Sequence, residues 1–345
     1  MVNLPLGLDI GSHTIKLIQL QKKDKGYWLQ TAGLAPTPAR GMISDAKADL
    51  EALSVIIKKL VIDTKTDILQ VNASLPESLI FSRVIEMPIL SEAELSTAIK
   101  WEAEQYIPMP LSEVRLDFAI LNSTQKGGDN KESKMEVLLV AAPLTLIEKY
   151  RSVLEMSGLE PVSLEPEIIA ITRSLVGENK TTTLVINLGA ATTDISIVHS
   201  GTLVFTRSIV SGGEALARAV AKEMNFELLQ GEEYKRTYGL EEDKLEGKVL
   251  AAIKPIFDTI IEEIKKAVNF YQGKYPQEPI KVVSLCGGTA KLPGLVMYVA
   301  QNLNIETQIG NPLALINKDI KSFPKIDQEG PVFAVAIGLA MKEIS

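Results

Sequence analysis

Two stretches of the chain arrange the same kinds of group around a glycine. LGLDIGSHTIKLIQL (6–20) sets Asp9 two residues before Gly11, follows it with Ser12 and His13, and carries Lys16 beyond the turn. LVINLGAATTDISIV (184–198) places Gly189, Ala190 and Thr192 in the same frame, with Asn187 where the first copy has Asp9. A glycine between two strands lets backbone approach a ligand, and successive N–H groups at such a turn form a nest for anions. A carboxylate beside that nest suits hydrated Mg²⁺, an ion that keeps several waters and needs only one or two carboxylates plus phosphate oxygens. Lys16 is placed to neutralise phosphate charge. The chemistry expected of these groups is the holding of a metal-bound phosphate, with Asp9 on the metal side and Asn187 reaching the ion through water. An amide can bond a metal-bound water but carries no charge and cannot act as a general base. His13 is expected to lie exposed in the first turn.

Two more glycine pairs follow. Gly212 and Gly213 open GGEALARAVAKEMN (212–225), which has helical spacing, and Gly287 and Gly288 follow the apolar run of KVVSLCGGTAKLPGL, ahead of Thr289 and Leu292. A helix is expected to start there at Pro293, since proline favours a first helical turn. LEPEIIAITRSL (164–175) offers Glu165 and Glu167 as carboxylates able to orient water; as acids at a helix start they are also favoured by the helix dipole.

The elements that must position these groups are legible from periodicity. Each glycine motif has an apolar run before it and an alternating run after it, the pattern of a β-hairpin. One copy alone is an ordinary hairpin, but two in matching register suggest two similar domains facing each other. Leu53, Ile56, Ile57 and Leu60 share a helical face, and strands are expected at 69–75 and 79–87. Ser91 with Glu94 forms a capping box for a helix that Pro108 stops, and Thr145 with Glu148 is read as a second box, for a helix ending near Gly158. VRLDFAIL and MEVLLVAA are strands joined by a polar loop, NSTQKGGDNKESK. A helix around GEEYKRTYG and a long one over about 248–272, begun or kinked by Pro255, complete the second half. The expected division is residues 1–175 with an inserted α/β unit at about 79–160, then 176–345, whose final helix (331–343) packs back on the first domain.

Composition bounds the function. A chain of 345 residues, 46% of them hydrophobic, can build two cores, and a net charge of −7 argues against a nucleic-acid surface or a polybasic membrane patch. Cys286 is the single cysteine, so an internal disulfide framework is excluded and a small buried residue is expected there. The start MVNLPLG lacks a signal-peptide pattern, and apolar runs such as VFAVAIGLAM (332–341) fall short of the ~20 residues that span a bilayer. A cytoplasmic protein without direct membrane insertion is expected.

At this point the sequence resembles the actin-like (ribonuclease H-like) ATPase superfamily, an α/β two-domain fold. The stretches at 6–20 and 184–198 look like its two phosphate motifs, VVSLCGGTAKLPGL its adenosine motif, and LEPEIIAITRSL and GPVFAVAIGLAM its two connecting helices. The resemblance implies ATP with Mg²⁺ between the domains, Gly212 and Gly213 approaching the nucleotide, and Glu232 and Lys235 of GEEYK near ribose and adenine. Within the superfamily the chain is similar to the PilM family of type IV pilus assembly proteins, related to FtsA. The similarity runs through ASLPESLIFSRVIEMPILSEAEL, AIKWEAEQYIPMP, LDFAIL, EVLLVAAP, SGLEPVSLEPEIIAI and FTRSIVSGGEAL, much of it in the inserted unit that actin lacks. It implies a scaffold with at most slow ATP hydrolysis. The scaffold would capture the N-terminal peptide of inner-membrane PilN, associate with the inner membrane through it, and connect to the pilus motor ATPase and other assembly proteins. The family usually has Asp where Asn187 stands. Alternatives are a small-molecule kinase, for which no substrate-base motif is found, an FtsA-like filament protein, and a type II secretion cytoplasmic domain.

Overall fold

The two glycine hairpins grow into two sheets of the same design. In a computed structural model, which describes residues 2–24, 26–124, 134–177, 179–319 and 326–343, the chain starts with β1 (Val2–Asn3), β2 (Leu6–Ile10), β3 (Thr14–Lys23) and β4 (Gly26–Pro36). β2, β3 and β4 form an antiparallel meander. The crossover helix α1 (Lys47–Asp63) then brings β5 (Gln70–Leu75) in parallel against β2. α1 buries Leu53, Ile57 and Leu60, the apolar stripe its spacing requires, while Ile56 is only partly covered.

After β5 the chain leaves to build a separate three-stranded antiparallel sheet from β6 (Phe81–Pro88), β7 (Val114–Thr124) and β8 (Lys134–Pro143), in the order β6-β8-β7. One face is covered by α2 (Glu92–Tyr106), which is held at its start by the Ser91–Glu94 capping box and buries Leu95, Ile99 and Ala103. Most of the expected polar loop between β7 and β8 lies outside the described residues; its ends, 122–124 and Lys134, belong to the strands. α3 (Leu144–Met156) and β9 (Glu160–Pro166) return to the first sheet, where β9 lies parallel to β5. α3 buries Tyr150, Val153 and Leu154 in the core of that sheet, so the inserted unit ends with β8 rather than near residue 160. Nor does a Thr145 capping box start α3: Pro143 is the N-cap, without a side-chain bond, because the helix follows β8 directly.

α4 (Glu167–Leu175) leads to the second sheet, where β10 (Thr183–Leu188), β11 (Thr193–His199) and β12 (Thr202–Ile209) repeat the meander. α5 (Gly213–Met224), α6 (Leu228–Tyr238) and α7 (Lys248–Lys274) cover it, and Pro255 lies inside α7. β13 (Val282–Cys286) pairs in parallel with β10, and after α8 (Leu295–Leu303), β14 (Glu306–Ile309) pairs with β13. The orders β4-β3-β2-β5-β9 and β12-β11-β10-β13-β14 are the same five-strand plan built twice. The expected helix start at Pro293 moves to Leu295, since Gly294 takes a left-handed conformation (φ 76°) that interrupts a right-handed helix between them.

The end of the chain goes back to the first sheet. β15 (Ile316–Asn317) pairs with β4, so the span 176–345 does not belong wholly to the second body. α9 (Ile326–Glu329) and a 3₁₀ turn precede α10 (Ala334–Ala340), which is shorter than the expected 331–343 and buried along its whole length. α10 packs on β2 and crosses α4. A Cβ built on Gly7 would lie 2.0 Å from the Ala336 carbonyl oxygen, and one on Gly338 only 1.9 Å from that of Ala170. Backbone touches backbone at both points, so neither glycine has room for a side chain. Gly338→Ala is therefore expected to cost at least about 3 kcal/mol, seen as a clear drop in thermal unfolding temperature; unchanged melting would mean that the crossing can widen freely.

Candidate functional site

In the first hairpin Asp9 lies directly across from Lys16, and Lys16 Nζ donates to Asp9 Oδ2 at 2.9 Å. The pair is shielded, with Asp9 only 4% exposed. The Gly11 N–H donates to Thr14 O (3.1 Å) and the Thr37 hydroxyl to Gly11 O (2.7 Å), which tightens the turn. A Cβ on Gly11 would meet Lys16 Nζ at 2.9 Å, so the lysine head lies over the turn. Ser12 and His13 are exposed at the tip.

The second hairpin has the same register, which pairs Asn187 with Asp194. Asn187 Nδ2 donates to Asp194 Oδ2 at 3.4 Å, Ser208 Oγ to Asp194 Oδ1 at 2.6 Å, and the buried Cys286 Sγ to Asn187 Oδ1 at 3.7 Å. Burial pushes the Asp194 carboxyl up to about 6, against the pull of bonds from Ser208, Thr192 and Asn187. The carboxylate is thus not missing from the second copy. It stands on the facing strand, seven residues on, as Lys16 stands to Asp9. Asp194 was not singled out from the sequence, although that shared seven-residue offset was readable.

The glycine turns meet behind this hairpin. The Gly213 N–H donates to Gly189 O and the Glu214 N–H to Ala190 O, both at 2.9 Å; a Cβ on Gly212 would sit 2.7 Å from Ala190 O. Gly287 has φ +88°, and a Cβ there would fall 2.6 Å from Asn187 Oδ1. The Thr289 N–H reaches Leu188 O at 3.1 Å and its hydroxyl Gly189 O at 3.4 Å. Gly288, by contrast, faces open space. From α6, Lys235 Nζ donates to Gly213 O (3.0 Å) and Glu232 Oε2 (2.6 Å), so this pair braces the turn from below. Burial lowers the Lys235 pKa, with Glu232 opposing. Leu292 separates from the set: its side chain joins the second body's hydrophobic core with Leu295 and Val299.

The two expected carboxylates also part. Glu165, in β9, is buried against Arg173 (2.8 and 3.1 Å) and Lys342 (3.0 Å), which engages both of its oxygens in a strut of the α4–α10 crossing. Glu167 begins α4, and its carboxyl is held well above the usual range by desolvation and then by the charges of Asp9 and Asp194, with Lys16 opposing. Glu77, from the 3₁₀ turn after β5, was missed by sequence reasoning, because nothing local marks a residue whose neighbours come from two other sheets. Its Oε1 accepts from Ser82 and from Thr206 (3.0 Å), and its Oε2 is buried without a hydrogen-bond partner. Burial pushes it up to about 7.

Asp9, Asp194, Glu167 and Glu77 thus bring carboxylates from both bodies into mutual electrostatic reach. Among the described residues no three of them come together as a bare-metal cage. The set fits a hydrated cation held through water, and the orphaned Glu77 oxygen is consistent with one. For Glu77 and Asp194 the folded pKa exceeds the unfolded one, so the folded chain binds more protons between about pH 4 and 7 and loses stability as pH rises. The ligand-free protein is expected to melt at a higher temperature at pH 6 than at pH 8, and Glu77→Gln to gain about 1–3 kcal/mol at pH 8 and flatten the profile. A profile in calorimetry that falls towards pH 6 would contradict this.

A family model described as type IV pilus assembly protein PilM matches residues 7–344. The solved PilM-PilN type IV pilus biogenesis complex superposes with a TM-score of 0.83 at 30% identity, covering 98% of this chain and 97% of its counterpart. Cell division protein FtsA of Neisseria meningitidis serogroup B is 23% identical, over 96% of this chain and 88% of its own length. Ethanolamine utilization protein EutJ from Carboxydothermus hydrogenoformans shares the fold at a TM-score of 0.59 and 16% identity, covering 98% of this chain and 89% of that one. Matched by the family model over nearly its whole length, and sharing its actin-like fold with the PilM-PilN structure, the chain belongs to the PilM family of type IV pilus assembly proteins.

Proposed function

We propose that the protein is an ATP-binding scaffold of type IV pilus assembly that captures the N-terminal tail of the inner-membrane protein PilN and links the alignment complex to the pilus motor. The observation that carries this reading is the likeness to the solved PilM-PilN complex over 98% of the chain. Among the described residues no helix is long and apolar enough to cross a membrane, and attachment to the inner membrane through PilN is part of the proposal.

The nucleotide part rests on the paired jaws. The Gly11 and Gly189 N–H groups close their own hairpins on Thr14 O and Thr192 O, and the backbone N–H groups that follow them, at Ser12 and Ala190, take phosphate oxygens, with Thr192 and the exposed His13 at the turn margins. Lys16 neutralises phosphate charge. Gly212, Gly213, Gly287 and Gly288 let the backbone come close to sugar and base, above the Glu232–Lys235 brace. Bound Mg²⁺ supplies positive charge that offsets the phosphates. Asp9, Asp194 and the Asn187 amide hold its waters. Glu167 is the candidate for orienting water; its raised pKa favours the protonated form, which must lose its proton before it can accept one from water.

Titration of the purified chain with the N-terminal peptide of its own PilN homologue, with and without ATP and Mg²⁺, is expected to show saturable binding. Absence of binding in both states overturns the scaffold reading. Asn187→Asp puts a second acid opposite Asp194. It is expected to lower ligand-free stability by about 1 kcal/mol and to raise Mg²⁺-dependent ATP turnover. Unchanged turnover would mean that the amide is not what limits hydrolysis.

A further inference from the structure

The sheet of the inserted unit has a charge arrangement that it cannot satisfy alone. The β6–β8 register sets Glu86 directly opposite Glu136, and like charges in that relation destabilise a strand pair. Lys134 on β8 reaches Glu86 at 3.4 Å. Glu136 takes its partners from the second body: Lys274 Nζ at 2.7 Å and the Tyr275 hydroxyl, both at the C-terminal end of α7. The same Lys274 nitrogen lies 2.6 Å from Glu86 Oε1, so one cation stands between the two opposed carboxylates. Desolvation works against its charge, but the bonds to Glu136 and Glu86 outweigh it and raise the Lys274 pKa above the ordinary lysine value.

The cation is presented on a firm platform. α7 buries Ile260, Ile264, Val268 and Tyr271 in the core of the second body. Tyr275 stacks on His199 (centroids 5.7 Å apart, planes at 19°) and packs against Tyr271 at 5.0 Å, while the Tyr271 hydroxyl donates to Glu278 O at 2.9 Å. A second link runs beside the first: β12 packs along β6, and its Thr206 bonds Glu77. The same strand holds Asp194 through Ser208 and runs on into the Gly212–Gly213 turn. A change in spacing between the inserted unit and the second body therefore moves the second jaw and the Lys274 contact together.

We propose that Lys274 is a latch that fastens the inserted unit to the second body by bridging Glu86 and Glu136, and that latch formation and nucleotide binding strengthen each other. The second half of this statement rests on the nucleotide reading above. Both contacts require the same spacing of the bodies, so by linkage a ligand that fixes the spacing favours the latch, and loss of the latch weakens the ligand.

The test compares full-length wild type with Lys274→Met, with the pair Glu86→Gln and Glu136→Gln, and with the triple variant. Amide exchange across β6 and β8 is measured with and without ATP and Mg²⁺, alongside ATP affinity by calorimetry. Lys274→Met leaves two carboxylates face to face, and is expected to speed β6/β8 exchange about tenfold and to weaken ATP binding about fivefold. The triple variant removes the repulsion. Its exchange is expected to return towards the wild-type rate, while the ATP-dependent protection of β6 and β8 stays absent. Native exchange in Lys274→Met, or effects of the lysine and glutamate changes that simply add, overturns the latch. If wild type binds no ATP, the nucleotide reading fails by itself, and exchange non-additivity still decides whether the latch exists.

Discussion

Everything else in the molecule depends on how closely two short helices cross. α4 and α10 touch backbone to backbone because Gly338 has no side chain over Ala170, and α10 lies on β2 because Gly7 has none under Ala336. Polar groups then lock this contact. Arg173 donates to Gly338 O at 2.6 Å while it holds Glu165, Ser174 donates to Ala334 O at 2.7 Å, and Asn72 to Leu339 O at 3.1 Å. Buried carbonyls that find such partners cost little, and unpaired ones would cost much. β2 carries Asp9, and α4 runs from Glu167 towards the second sheet, so the crossing sets the distance between the jaws. A methyl group there would displace the site without touching a single site residue.

The jaws are the same hairpin with different charges. In the first, acid and base face each other and nearly cancel. In the second, an amide faces an acid, with hydroxyls from Ser208 and Thr192 in place of a cation. Burial of an acid without a cation raises its pKa, which is why Asp194 stands near 6. At neutral pH the second jaw therefore carries a negative charge that no cation compensates, whereas Lys16 already compensates the first.

What the sequence made legible was local. Both hairpins, the α2 capping box and the Gly212–Gly213 helix start follow from residues within a few positions of one another, and the five-strand repeat follows from the hairpins. The errors arose where a local signal had a stronger competitor. Thr145 and Glu148 have capping-box spacing, but β8 runs straight into α3 and Pro143 takes the cap. Leu292 lies beside a glycine turn, but its side chain is apolar and the core is closer than the cleft. Glu165 and Glu167 are two residues apart, yet one ends a strand and the other starts a helix, so they face different neighbours. Glu77 and Asp194 owe their character to strands distant in sequence. Tertiary contact alone reveals Glu77, whereas Asp194 follows from the hairpin register that sets it seven residues from Asn187, as Lys16 stands to Asp9.

The three bodies are joined by two kinds of contact, and the difference has mechanical meaning. At the α4–α10 crossing the contact is close-packed backbone, which resists any change in spacing. Between the inserted unit and the second body, polar bonds of Glu77 with Thr206, and of Glu86 and Glu136 with Lys274 and Tyr275, flank an apolar contact in which Leu138, with Val84 and Val140 beside it, joins the core that holds Val198 and Leu203. The partly exposed ion pairs and hydroxyl bonds at its margin can exchange with water at small net cost, whereas the apolar part cannot separate without exposing buried surface. The fold thus combines a stiff axle with a reversible fastening some distance from it. Rotation about the axle is then resisted by the apolar contact around Leu138 together with polar bonds on β12 and at the end of α7, and β12 is also the strand that holds Asp194 and leads into the glycine turn of the second jaw.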